Sequence, residues 1–348
     1  MITPQSTTKE WINQIRAQHP KINLRLLEKM INALCLVEAL KINGLYFIFK
    51  GGTSLVLLLD SPQRLSIDID ILTQASREEI EIILTKLCAQ TIFAKFELDE
   101  HRSYKEGVPK AHYKLFYAPN FASPEDNSIL LDVLFAENPY PKLQKTPMQM
   151  AWLETKEPII FLDLPTIESI AGDKLTAFAP NTTGIRYGEG KEMEIIKQMF
   201  DVGQLFDKII DFEVFRQSYF QNVQQELAYR PVLVGKSYKD VLEDTWLTCL
   251  QIVKRENREL IQGISSFNSY TIYHFGDENA IETAGKIALL VAKLMKQDDT
   301  ALPTLDTTSY KATDYLILNP GFNFLNRKVR MANYAMFYWQ KAIEVYTS

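Results

Sequence analysis

The segment Lys50–Ile71, KGGTSLVLLLDSPQRLSIDIDI, decides how this chain is read. It starts where the aromatic and β-branched run LYFIFK (45–50) meets the Gly51–Gly52 pair. Leucine-rich SLVLLLD follows, so the local order is strand, tight turn and helix. Pro62 closes that helix. From 65 to 73, LSIDIDILT alternates strictly, with Ile67, Ile69 and Ile71 on one side and Ser66, Asp68 and Asp70 on the other, which predicts a strand. Asp68 and Asp70 then leave one face about 6 to 7 Å apart at the backbone. Two carboxylates so spaced can share Mg²⁺, which takes one or two carboxylates and fills its shell with water and phosphate oxygens. Upstream, Gly51 and Gly52 let the backbone approach a ligand without Cβ interference. The amides of Thr53 and Ser54 open the next helix, a place that favours phosphate.

Outward from this segment, residues 7–42 show helical spacing after the possible caps Thr7 and Thr8. SREEIEIILTKLCAQ (76–90) reads as a helix, with Ser76 and Glu79 at capping-box spacing. Strands are expected near 93–101, 111–119 and 128–137, giving a mixed sheet with helices against one face. Asp132 sits in ILLDVLF among apolar neighbours, where an ionised carboxylate is costly unless a metal or an ion-pair partner compensates it. With Asp68 and Asp70 it would make a two-metal site for in-line displacement at a triphosphate. The plainer readings are a structural ion pair for Asp132 and a solvent-facing edge for Asp68 and Asp70.

After NPYPKLQKTP (138–147) strand signals become rare. Helices are expected from Thr166 through IESIAGDKLTAFA and over 191–211, 212–228, 237–257, 277–297 and 322–346; in the 277–297 segment Ile281, Ala284, Ile287, Val291 and Leu294 form an apolar stripe. The expected fold is α/β (α+β). A mixed-sheet domain with leading helices spans 1–145, and a mainly helical domain at 146–348 completes the active-site cleft. The 348 residues suffice for two cores, and a net charge of −5 argues against a protein that coats DNA through bulk positive charge. Cys35, Cys88 and Cys249 lie far apart, and His19, His101, His112 and His274 show no ligand spacing, so zinc chemistry has no support. The N-terminal stretch lacks a secretory apolar core and no apolar run reaches 18 residues, so no membrane partner is expected and the cytoplasm is the default address.

A Gly-Gly turn opening a helix, then Asp-x-Asp on a strand, then a lone Asp on a later strand resembles the DNA polymerase β-like nucleotidyltransferase superfamily. More narrowly, FKGGTSL followed by RLSIDIDI is similar to the AbiEii/AbiGii-type nucleotidyltransferase toxin family, at Gly51, Gly52, Thr53, Ser54, Arg64, Ser66, Asp68 and Asp70. Lys174 in IAGDKLTAF matches the family's helical Lys. IIKQMFDVGQLF resembles a later acidic run, with Gln198 where the first acid is usual and Asp201 at the second.

The resemblance implies transfer of a nucleoside monophosphate from an NTP to an acceptor, with release of pyrophosphate. It also implies a toxin of a toxin–antitoxin or phage-defence system, with tRNA or another RNA end as acceptor and a cognate antitoxin as partner. Asp68, Asp70 and Asp132 would hold two Mg²⁺ ions, with Mn²⁺ as a substitute, and Asp132 would serve as base. Gly51, Gly52, Thr53 and Ser54 would hold phosphates, Lys174 would meet the triphosphate, and Arg64, Ser66 and Asp201 would complete the nucleotide site. Arg102, Lys105, Lys110 and Lys114, interleaved with Tyr104 and Tyr113, offer a basic aromatic stretch for RNA, or else a solvated hairpin. The rival functions are transfer to a protein or small hydroxylated molecule, and a degenerate interaction module without catalysis.

Overall fold

The computed structural model describes residues 1–59, 61–105, 108–121 and 127–348, without the side chains of 104 and 105. The chain divides into two units. The first takes in Met1–Asn138, Leu143–Thr166 and Ser269–Tyr273, and the second Pro139–Lys142, Ile167–Asn268 and His274–Ser348.

In the first unit, helices α1 (Lys9–Gln18) and α2 (Leu24–Ile42) precede strand β1 (Ile48–Lys50). Helix α3 (Gly51–Leu58) starts at the very next residue. That abrupt turn needs positive φ, and Gly51 supplies it at +75°. Strand β2 (Ile69–Thr73) is followed by α4 (Arg77–Cys88), whose expected capping box between Ser76 and Glu79 is formed. Then come β3 (Phe93–Leu98), a single helical turn α5 (Glu100–Ser103), the two-residue β4 (Tyr104–Lys105), β5 (Val108–Tyr117), β6 (Ser128–Phe135), β7 (Leu143–Pro147) and β8 (Phe161–Pro165). Among the described residues these strands make one mixed sheet, ordered β3-β5-β6-β2-β1-β8-β7, with β4 beside β5. The pairs β2/β6 and β1/β8 are parallel.

One face of this sheet carries Ile69, Ile71, Ala111, Tyr113, Leu115, Ile129, Leu131 and Val133. These residues form a core with Met30, Leu34 and Val37 of α2 and Ile80 and Leu84 of α4. Helices thus cover the apolar face, and the alternate residues of β2, β5 and β6 point the other way.

Three differences from the sequence reading have physical causes. Strand β2 begins at Ile69 rather than Leu65, because the backbone before it pairs elsewhere: Leu65 N–H donates to Tyr270 O (2.8 Å), Ile272 N–H to Gln63 O (3.2 Å), and Arg64 bridges Thr271. Strands β7 and β8 were not expected, since Pro-flanked LQKTP and FLDLP hide their alternation; the break placed between 145 and 146 falls inside β7. The last helix is interrupted, with α12 (Phe324–Val329) and α13 (Ala335–Thr347) separated at Asn333, whose φ is +39°.

The second unit is helical: α6 (Ile167–Ala177), α7 (Glu192–Phe206), α8 (Phe212–Ala228), α9 (Tyr238–Lys254), α10 (Arg258–Phe267), α11 (Asp277–Lys296), α12 and α13. Helix α10 was missed by the sequence reading. Ala284, Ile287, Val291 and Leu294 of the α11 stripe are buried, and Trp339 of α13 anchors there through an Nε1–H bond to Ile281 O (3.1 Å). Phe337, Tyr338 and Trp339 are core residues. No helix among the described residues is long and apolar enough to cross a membrane.

Candidate active site

The sheet face opposite the helices holds the acids. Asp70 of β2 lies directly across from Asp132 of β6, and Asp132 directly across from His112 of β5. Residues opposite one another share a face and bring their Cβ atoms close, so these three side chains form a row. Asp68 lies one residue before β2, not within it; its carbonyl accepts a hydrogen bond from Thr53 Oγ1, which lies 2.9 Å from Ser66 Oγ. Among the described residues no three His, Cys, Asp or Glu side chains are close enough to hold a metal ion by themselves. The two carboxylates in register are Asp70 and Asp132.

Gly51 closes one side of this row. A Cβ built on it would lie 2.0 Å from Asp70 Oδ2, so only glycine lets the carboxylate sit where it does. A Cβ on Gly52 would meet Arg64 Nη2 at 2.3 Å and Ser66 Oγ at 2.9 Å. Arg64 is buried, and its Nη1 donates to Leu65 O at 3.0 Å. The turn, the Arg64–Ser66 segment and Asp70 are therefore fitted to one another. Thr53 and Ser54 are fully buried, with Ser54 Oγ donating to Gly51 O at 2.9 Å. Their hydroxyls are turned inward, and what the head of α3 can present to an anion is backbone amide.

Asp132 is held closely at Oδ1 and more loosely at Oδ2. His112 Nδ1 lies 2.5 Å from Oδ1, and Arg102 Nη2 is 3.4 Å from Oδ2. Neither partner was paired with Asp132 in the sequence reading. The alternation in AHYKLFY puts His112, Lys114 and Phe116 on one face, but the hairpin register that sets His112 against Asp132 cannot be counted off a sequence.

Among the described side chains of the basic stretch at 102–114, Tyr113 and Lys114 favour the hairpin reading over an aromatic groove. Tyr113 is fully buried, with its hydroxyl 3.1 Å from Glu81 Oε1, so it cannot stack on a base. Lys114 is committed to Asp99, whose carboxyl it holds below the usual carboxylate range. The side chains of Tyr104 and Lys105 lie outside the described residues.

In the second unit Lys174 of α6 and Asp201 of α7 form a buried ion pair at 3.0 Å, with side chains 9% and 1% exposed. Lys174 also donates to Gln198 Oε1 at 3.2 Å. Lys174 is thus not a solvated helical lysine, nor Asp201 a surface acid. Gln198, at the position where the sequence departs from the family's usual acid, accepts the second hydrogen bond of the same ammonium.

A family model described as nucleotidyl transferase AbiEii toxin of type IV toxin–antitoxin systems matches residues 35–258, well over half of the chain and every site residue named above. The chain belongs to the AbiEii nucleotidyltransferase toxin family. Its fold is similar to that of MenT4, a nucleotidyltransferase toxin from Mycobacterium tuberculosis, with a TM-score of 0.55 at 12% identity over 81% of this chain and 89% of that one. The structure of JHP933 from Helicobacter pylori is similar with a TM-score of 0.44 at 16% identity, over 78% of this chain and 95% of that one. The chain has no match among curated proteins. As an AbiEii-family member it is a nucleotidyltransferase.

Proposed function

We propose that this nucleotidyltransferase moves a nucleoside monophosphate from an NTP to an RNA end, tRNA above all, as the toxin of a toxin–antitoxin pair with a cognate antitoxin as partner. The reading rests on one observation: Asp70 and Asp132 stand in register on parallel strands, with the glycine turn at the head of α3 against Asp70. An acceptor hydroxyl oxygen attacks the α-phosphorus, a new P–O bond forms, and the bond to the bridging oxygen breaks. Pyrophosphate leaves with that electron pair. Asp132 takes the acceptor's proton and passes it to solvent, while amides at the head of α3 hold the terminal phosphates.

The donor set fits a hard cation, since it consists of carboxylate oxygens, and two in register suffice for an ion that completes its shell with water and phosphate. Asp68, Asp70 and Asp132 would hold Mg²⁺, or Mn²⁺ in its place, and up to two ions there would supply neutralisation of the triphosphate charge and a more acidic acceptor hydroxyl. Arg64 braces the glycine turn, Ser66 sits beside Thr53, and Lys174 with Asp201 would serve the nucleotide. The reaction would run in the cytoplasm, and a part in phage defence fits a toxin of this kind.

Incubation of the purified protein with Mg²⁺, each labelled NTP in turn and total RNA tests this. Label in tRNA is the expected result. Label on protein or a small hydroxylated molecule instead would replace the RNA acceptor, and no transfer to anything would overturn the assignment.

A further inference from the structure

We propose that His112 is a positioning residue for Asp132: its Nδ1–H pins Oδ1 and leaves Oδ2 as the oxygen that meets the reacting groups. The inference rests on the role given to Asp132 above. His112 and Asp132 are cross-strand partners, with Nδ1 and Oδ1 2.5 Å apart. Opposite a carboxylate oxygen, Nδ1 is the nitrogen that carries hydrogen, which fixes the tautomer. A carboxylate on a strand turns freely about its last torsion, and tying down one oxygen sets the direction of the other.

The backbone that carries the ring is held from behind. His112 N–H donates to Ser103 Oγ (2.9 Å), Asp99 N–H donates to His112 O (2.8 Å), and Ser103 Oγ donates to Asp99 O (2.6 Å). The turn at 99–103 thus locks both backbone groups of residue 112, and the side chain is 8% exposed. Among the described residues Nε2 is buried with no hydrogen-bond partner. A phenylalanine would fill the same space without that cost, so packing does not explain a histidine here. What the histidine supplies is the Nδ1–H bond. The other side of Asp132 is more open, with its side chain 24% exposed and Arg102, itself 42% exposed, at Oδ2.

The test compares His112→Phe, His112→Asn and His112→Gln with the native protein. Asn carries its amide nitrogen where Nδ1 sits, and Gln carries it where Nε2 sits. Two quantities are read: the rate of label transfer from NTP, and the affinity for Mn²⁺ alone by electron paramagnetic resonance. Partners that orient a metal-binding carboxylate typically change affinity or activity about 10–100-fold when removed. His112→Phe is expected to lose that much in kcat and in Mn²⁺ affinity, with KM for the NTP nearly unchanged. His112→Asn should restore most of both, and His112→Gln neither. Should the Phe variant not fold, the Asn and Gln variants decide alone. Equal behaviour of those two, or a Phe variant that matches the native protein, overturns the proposal. Asp132→Asn separates the two layers: if it is inactive while every His112 variant is fully active, only the role of His112 falls, and if it is fully active the role of Asp132 falls and this proposal with it.

Discussion

The α-carbon of Gly51 faces the carboxylate of Asp70 with no room for a methyl group, since a Cβ there would stand 2.0 Å from Oδ2. The left-handed backbone at Gly51 and the placement of the acid are therefore one structural fact. Gly51→Ala should cost about 1–3 kcal/mol in urea unfolding, the range for a strained backbone conformation, and should abolish transfer. Gly44 is the control: it too has positive φ, at +90°, but nothing lies within 4 Å of its Cβ position. Gly44→Ala should lose comparable backbone stability and keep full transfer, and an equal loss of activity in both variants would refute the contact with Asp70.

Asp68→Asn, Asp70→Asn and Asp132→Asn remove charge at nearly constant shape. Each should reduce label transfer by at least about 100-fold, the usual effect of deleting one group that acts on developing charge, with the unfolding midpoint held or raised. Expression of the Asp70→Asn chain should no longer arrest growth. Persistent arrest would separate toxicity from nucleotide transfer.

Lys174 and Asp201 bury opposite charges 3.0 Å apart. Asp201→Ala leaves the ammonium with Gln198 alone and should destabilise the protein by about 3–5 kcal/mol, read by chemical denaturation. Replacing both, as Lys174→Met with Asp201→Leu, should recover most of that loss. A double variant no more stable than the single one would mean that the helices, rather than the pair, carry the effect.

Asp240 at the start of α9 has its carboxyl pulled from the ordinary 3.8 down to about 2, first by the Lys236 side chain and then by the Ser237 backbone amide. A depressed folded-state value means that the ionised form stabilises the fold above about pH 4. That contribution is lost as pH falls toward 2. Stability measured between pH 4 and 2 should therefore fall less steeply in Asp240→Asn than in the native chain, and identical acid limbs would count against this cap.

Much of the site was legible because its parts are local. The Gly51–Gly52 turn, the alternation from Ile69 to Thr73 and the lone acid in ILLDVLF each follow from a few neighbouring residues. The pairing of Asp70 with Asp132, and of Asp132 with His112, depends on strand order and register, which involve residues up to 62 positions apart. The start of β2 was misjudged for the same reason: Leu65 has the pattern of a strand residue, but its amide is taken by Tyr270. Strands β7 and β8 escaped because Pro147 and Pro165 blur a pattern already short. Tyr113 was offered for base stacking in one of two readings of the basic stretch, whereas its place in β5 turns it into the core.

The pairing of residues 63–65 with 270–272 also sets the order in which a growing chain can finish this unit. When the ribosome has polymerised both acids and every strand of the sheet, the loop leading into Asp68 still lacks its clasp, which is made more than a hundred residues after β8. A chain ending before residue 269 would carry the acids without the brace that Leu65 and Arg64 find at Tyr270 and Thr271.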